Sequence, residues 1–319
     1  MKREMKNEVT VTGVVVKCDI KEFETKAGKD AIGGTIVLRS EDGSENEFRV
    51  FSNKWKNDSD GNETNETRYF FNQYEEFASK VVSLEDDAEN ASVVTITKGT
   101  IDSNDFKGND GNIVSSNKLS AKFLTILSDK DIALTQQTAK FEVEGIIEKI
   151  EDESGKDQLP TGKGKIKLNY ISSTIDFKDK NKKPESREMY PITLTIPSDL
   201  YDAFKGAGYY EGCLAKFIGN LKNTTKVETV TEKQSFGEDV VKQITTHIKE
   251  YEVRSGNTAS TYDVIELTQD EINMLMSKRK QHLEEIKTGN VQDGSFGEAT
   301  KQPQQKPISN PFAGANPFA

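Results

Sequence analysis

The chain has 319 residues and a mass of 35.6 kDa, enough for two ordinary domains that each bury a core. Hydrophobic residues make up 34% and charged residues 30%; no apolar run approaches the roughly 20 residues of a membrane span and no apolar segment follows MKREMKNEV, so the cytoplasm is the expected location. A formal net charge of −10 and an isoelectric point near 5.1 exclude a general polyanion binder of the histone kind, while leaving room for a local basic groove.

Val9 to Lys17 is β-branched almost throughout and reads as a first strand, with Gly13 where the strand coils sharply or admits another backbone. A charged loop containing Phe23, Lys26 and Lys29 leads to a second strand, Gly34 to Arg39, and a Gly-containing turn leads to a third. That third stretch, Glu45 to Trp55, alternates Phe48, Val50 and Ser52 with Glu47, Arg49 and Phe51. Alternation predicts a half-buried strand, yet Phe51 shares the polar face with Arg49, and Lys54, Trp55 and Lys56 follow at once. Exposed aromatics beside cations make a surface on which bases stack while phosphates are neutralised; the alternative is a strand with aromatics buried on both sides.

Lys56 to Thr67 is polar and apolar-free, an expected exposed excursion. A helix is predicted from about Asn72, with Glu75 as capping-box partner and Tyr74, Phe77, Ala78, Val81 and Val82 on its buried face. Strands resume at Ser92 to Ile101 and Lys118 to Leu127, around a hairpin loop carrying Phe106 and Lys107. Three strands, one helix and two strands is the element order of the oligonucleotide/oligosaccharide-binding (OB) barrel.

After a junction at Ser128 to Thr138 the order repeats: Phe141 to Glu151 with Gly145 inside it, Gly164 to Ser172, Glu188 to Ile196 with an edge-favouring Pro191, a short helix capped by Ser198, Cys213 to Leu221, and Thr245 to Arg254. The insertion Lys222 to Gln243 reads either as a ligand-gripping hairpin or as a solvated loop. Thr268 and Glu271 form a capping box for a helix toward Gly289, whose stripe of Ile272, Leu275, Met276, Leu283 and Ile286 is expected to pack on the second barrel. The fold class is therefore mainly β: two tandem five-stranded OB barrels, each with one helix, plus a C-terminal amphipathic helix and a disordered tail. The expected division is 1–130, 139–289 and 290–319. The tail ends in two copies of Asn-Pro-Phe, at Asn310, Pro311 and Phe312 and at Asn316, Pro317 and Phe318, an aromatic docking hook held by proline.

Cys18 and Cys213 fall in different predicted strands, which fits reduced, buried thiols better than a disulfide. His247 and His282 are too sparse for a zinc site or a catalytic constellation, and no Gly-rich phosphate loop is present. No metal, no cofactor and no catalysed reaction are expected.

VTVTGVVVK, GTIVLR, NEFRVFSNKW, the aromatic-rich helix after them and a tail ending in Pro-Phe together resemble single-stranded DNA-binding proteins of the bacterial and bacteriophage type. The resemblance covers roughly residues 9 to 127 as a pattern and the second half by element order alone. It implies a barrel that holds single-stranded DNA without sequence preference, and a tail that recruits replication or recombination proteins. Two barrels in one chain look more like a phage-encoded form. The tails of the proteins it resembles are strongly acidic before their Pro-Phe, whereas here Asp293 and Glu298 are balanced by Lys301 and Lys306, and an alanine follows each Phe. Arg39, Arg49, Lys54, Lys56, Lys107, Lys165, Lys167 and Lys216 are the candidates for phosphate contact, and Phe51, Trp55, Phe106, Tyr170 and Tyr190 for stacking. The rival readings are a phage structural or assembly protein that uses such barrels as packing modules, and a barrel that binds RNA or oligosaccharide.

Overall fold

A computed structural model describes residues 4–58, 62–155, 158–175, 184–232, 236, 240–258 and 268–289. The chain is mainly β. Its first half comprises β1 (Asn7–Glu24), β2 (Asp30–Arg39), β3 (Glu45–Asn53), β4 (Trp55–Asn57), β5 (Glu63–Thr67), α1 (Tyr69–Lys80), β6 (Val93–Lys107), β7 (Ile113–Ala121), β8 (Leu124–Ile126) and α2 (Asp129–Ile132). The second half comprises β9 (Ala139–Ser154), β10 (Pro160–Ile175), β11 (Pro184–Ile196), α3 (Ser198–Gly206), β12 (Leu214–Glu232), β13 (Val240–Thr258) and α4 (Gln269–Thr288).

The β-branched runs make strands longer than their apolar segments, because the pairing continues into polar ends. Strand β1 pairs with β2 and β6, β2 with β3, β3 in parallel with β7, and β7 with β6. The pairings thus return to β1. The second half repeats the circuit: β9 with β10 and β12, β10 with β11, β11 in parallel with β13, and β13 with β12. The repeat of element order is therefore also a repeat of pairing. Antiparallel pairing of β1 with β9, from Asn7 opposite Val143 to Val11 opposite Ala139, joins the halves edge to edge. One core runs through both, from Ile36, Phe48 and Ile101 to Phe141, Ile166 and Phe217.

Gly13 and Gly145 occupy matching places in the two first strands. A Cβ at Gly13 would lie 2.5 Å from the carbonyl oxygen of Arg39, and one at Gly145 would lie 2.6 Å from that of Asn169. Each glycine lets the second strand's backbone cross closely, the second of the roles expected for Gly13. Gly13→Ala is expected to destabilise the protein by about 1–3 kcal/mol, the usual cost of overpacking, read as a lower urea midpoint.

Several local expectations change. Helix α1 begins at Tyr69, three residues before Asn72, with Arg68 at its N-cap and no side-chain cap. Asn72 donates back to Thr67 Oγ1 at 2.9 Å, and Phe71, Tyr74 and Phe77 bury one face. The sequence hides this start because Tyr69 and Phe70 continue no recognisable capping pattern. Lys56 to Thr67 holds the small β4–β5 hairpin. Ser198 is the first residue of α3 and Pro197 its N-cap, again with no side-chain cap. The insertion after Lys222 extends β12 and β13 into one ribbon, paired as far as Glu232 opposite Val240.

Helix α4 carries the expected capping box, but it straddles both halves. Leu275 packs against Met5, Ile171 and Met189. Arg187 pairs with Glu271 at 3.1 Å, and Arg279 grips Asp105 of β6 with both terminal nitrogens. Met276, assigned to the buried stripe, is 48% exposed. Cys18 and Cys213 are both free.

Candidate nucleic-acid interface

Alternation along β1, β2 and β3 turns Ile20, Ile32, Ile36, Phe48 and Val50 inward. The register stacks Lys21, Gly33 and Phe51 in one row of the other face, and Asp19, Thr35 and Arg49 in the next. Side chains alternate across a strand, so a buried Phe48 and Val50 force Arg49 and Phe51 outward. Phe51 is 39% exposed and Phe23, at the end of β1, is 41% exposed. Their rings lie 6.2 Å apart at 53°. Gly33, between Lys21 and Phe51 in that row, places no side chain next to the ring.

Lys54 and Trp55 border this pair where β3 passes into β4. The Lys54 ammonium lies 5.6 Å from the Trp55 ring and 5.1 Å from the Phe71 ring, within cation–π range, and pairs with Glu22 at 3.2 Å. Arg68 Nε donates to the Trp55 carbonyl at 2.7 Å, fixing the backbone there. The β4–β5 hairpin forms a rim. Lys29, in the turn between β1 and β2, reaches Glu63 at 3.0 Å, and Lys56 reaches Glu66 at 2.9 Å. Among the expected residues, the fold thus gathers Arg49, Phe51, Lys54, Trp55 and Lys56 along β3 and its exit. Phe23, read in the sequence as a loop residue, joins them because β1 extends to Glu24.

The other candidates lie elsewhere. Arg39 is held across the β2–β3 turn by Glu45 at 2.6 Å. Phe106, 44% exposed, stands opposite Val114 toward the tip of the β6–β7 hairpin. The parallel β3–β7 register, Arg49 opposite Ser120, puts Val114 six residues, about 20 Å, from the level of Arg49 and away from Phe51. Lys107 donates to the Lys287 carbonyl at 2.9 Å, near the C-terminus of α4.

In the second half, Lys165 pairs with Glu153 at 3.1 Å and Lys167 with Glu148 at 2.7 Å. Lys216 shares Glu142 with Lys6. Tyr170 and Tyr190 pack together at 5.3 Å, and Tyr190 donates to the Ile101 carbonyl at 3.1 Å while accepting from Asn7 Nδ2 at 3.1 Å. Burial pushes the Tyr170 phenol up to about 12 and that of Tyr190 higher still, with the Asp102 charge adding to it. Both rings serve the contact between halves. Asn310, Pro311, Phe312, Asn316, Pro317 and Phe318 lie outside the described residues.

The base of the β12–β13 ribbon docks on the β2–β3 turn. Lys222 binds Asp42 at 2.6 Å, and Asn223 Nδ2 donates to the Glu45 carbonyl. Burial alone would raise the Asp42 carboxyl, but hydrogen bonds from Lys222, Ser44 and Ser40 outweigh it and hold the group at about 2. Among the described residues, no group of three or more His, Cys, Asp or Glu is placed to hold a metal ion, and no helix is long and apolar enough to cross a membrane.

No curated protein matches the chain. Among solved structures, the wild-type single-stranded DNA binding protein from Thermus aquaticus aligns with a TM-score of 0.42 and 10% identity over 83% of this chain and 98% of that one. A deletion mutant of the Thermus aquaticus protein aligns with a TM-score of 0.41 and 11% identity over 84% and 99%. A replication protein A heterotrimer bound to single-stranded DNA aligns with a TM-score of 0.22 and 13% identity over 88% of this chain and 53% of that chain. The family model described as YorF matches residues 6–289, nearly the whole chain, and the protein belongs to the YorF family.

Proposed function

We propose that the protein binds single-stranded DNA without sequence preference and catalyses no reaction, each closed circuit of strands being an OB barrel. The observation that carries this reading is the outward Phe23–Phe51 pair, bounded by Lys54 and Trp55 and with Arg49 on the same strand face. Flat apolar rings exposed beside cations offer stacking to any base and neutralisation to the phosphates between bases. The first barrel, within 1–130, holds the strand. The second, within 139–289, carries lysines already matched to glutamates and braces the first. In this reading the 290–319 tail recruits replication or recombination proteins through its Asn-Pro-Phe copies, in the cytoplasm of a phage-infected host.

Trp55 is the chain's only tryptophan and sits at the edge of the aromatic pair. Titration with oligo(dT) is expected to quench its fluorescence saturably, with an affinity that falls as salt rises. A flat titration at low salt refutes the reading. Competition by oligo(rU) and by glycans identifies an RNA or sugar barrel instead, and stable self-assembly without oligonucleotide affinity identifies a packing module.

A further inference from the structure

Lys249 and Tyr251 of the β12–β13 ribbon meet the outer face of β3 and β7, and a cleft of about 50 Å3 between them is lined by Asn46, Glu47, Arg49, Lys118, Lys249 and Tyr251. Only Arg49 among these stands out in the sequence. Lys118, Lys249 and Tyr251 come from strands far from β3 in the chain and meet it only in the fold.

Two independent observations give the cleft a preference. The first is charge. Among the described residues, many lysines and arginines are matched to a carboxylate, as at Lys54, Lys56, Lys165, Lys167 and Lys216. Arg49, Lys118 and Lys249 converge with no ion pair among the described residues. Burial holds the Lys118 ammonium below its usual value, the Arg49 and Lys249 charges add to this, and Glu47 alone opposes. Of the acids nearby, Glu47 lines the cleft, while Asp102 accepts from Thr100 Oγ1 at 2.9 Å and from Ser120 Oγ.

The second observation is hydrogen bonding. Asn46 Nδ2 and the Tyr251 hydroxyl are buried with no partner, in residues only 4% and 8% exposed. A buried donor left unmade costs about 1–3 kcal/mol, so a group in the cleft that accepts from the Tyr251 hydroxyl stabilises the site. Three cations and the Tyr251 hydroxyl from facing elements call for an anion with acceptor oxygens pointing in several directions. A tetrahedral phosphate provides them, and the cleft's volume admits one group of that size.

We infer that this cleft takes a phosphate group, held between Arg49 and Lys118 on one wall and Lys249 and Tyr251 on the other. Where that group is a phosphodiester of a bound strand, the inference rests on the single-strand binding proposed above. Arg49 and Phe51 lie two residues apart on one face, about 7 Å along β3, so a base on Phe51 and a phosphate in the cleft belong to the same stretch of strand. The ribbon then closes over the backbone while the first circuit holds the bases.

The test uses the full chain as wild type, as Lys118→Gln/Lys249→Gln, as Tyr251→Phe, and as Lys80→Gln, a control on α1. Oligo(dT) binding is followed by Trp55 fluorescence over a salt series, and Tm is measured in sodium phosphate against chloride of equal ionic strength. The double variant is expected to lower the salt slope by about 0.7 for the phosphate contact it loses, equivalent to about fivefold weaker binding at 0.1 M salt. Tyr251→Phe, which only removes an unpartnered hydroxyl, keeps its fold and loses the phosphate-specific rise in Tm. A phosphate-specific rise in the wild type, absent in both variants, together with an unchanged oligo(dT) slope, assigns the cleft to free phosphate rather than to the DNA backbone. Both variants matching wild type in slope and in phosphate response overturns the inference. A wild type that binds no oligo(dT) refutes single-strand binding alone, and the phosphate arm still decides the cleft.

Discussion

Arg279→Ala is expected to cost about 3–5 kcal/mol, the penalty of stripping one partner from a buried ion pair. The side chain of Asp105 is 4% exposed and that of Arg279 is 15% exposed, and the guanidinium donates through both terminal nitrogens, one of them at 2.7 Å. Ser103 Oγ adds a bond at 2.9 Å. Removing the arginine leaves a buried carboxylate that keeps only hydroxyl donors. The loss appears as a lower urea midpoint and as faster amide exchange along α4, which relies on this pair, on Leu275 and on Arg187–Glu271 for its docking. Replacing both partners with apolar residues, as in Arg279→Met/Asp105→Leu, is expected to recover most of the stability, because no charge is then stranded. If Arg279→Ala matches wild type in urea, the pair contributes nothing net.

The pair also has a signed pH dependence. Burial would raise the Asp105 carboxyl, but hydrogen bonds from Arg279, Ser115 and Ser103 outweigh it and hold the group below its ordinary value of 3.8. A depressed carboxyl contributes stability that is fully present above its unfolded value and is lost as pH falls through the lower folded value. As pH falls through and below 4, the wild type is therefore expected to lose more of its own neutral-pH stability than the apolar double variant, which has no such carboxyl to protonate.

Phe51→Ala is expected to weaken oligo(dT) binding by about 1–3 kcal/mol, or about 5- to 150-fold, the cost of removing one stacked base platform. The ring is 39% exposed and lies on the face opposite the core, so the fold tolerates its loss. The salt slope should stay at the wild-type value, because the substitution removes no charge and releases no fewer counterions. Affinity lost without a change of slope marks stacking; affinity and slope lost together mark a phosphate contact, as expected for Lys118→Gln/Lys249→Gln. Wild-type affinity in Phe51→Ala would remove the aromatic pair from the interface and leave the cations as its main support.

The strands were legible because their signals are local. Val9 to Lys17, the alternation of Glu45 to Trp55 and the capping box of Thr268 and Glu271 each declare their element within a few residues. The outward direction of Phe51 also follows from alternation once Phe48 and Val50 are assigned to the core. Misplaced boundaries have a common cause. At Tyr69, Pro197 and the ribbon beyond Lys222, the element is maintained by partners across the sheet or beneath the helix, and no capping residue or apolar repeat marks it.

Among the candidate cations, sequence alone could not separate a lysine facing solvent from one facing a glutamate. Lys165, Lys167 and Lys216 look like Arg49 in composition, but Glu153, Glu148 and Glu142 meet them across the sheet. Tyr190 resembles a stacking residue until its hydroxyl is seen to bridge Ile101 and Asn7.

The sequence by itself determined the two successions of strands and helix, the glycines that let the first strands cross their partners, and a cationic, aromatic third strand. These follow from side-chain periodicity and backbone sterics, which act within one segment. Only the tertiary structure decided that β1 and β9 join the halves into one sheet, that α4 clamps both, and that Arg49, Lys118 and Lys249 converge with no ion pair among the described residues. Charge compensation and strand pairing depend on which segments meet in space, and residues 49, 118, 249 and 251 carry no local mark of that meeting.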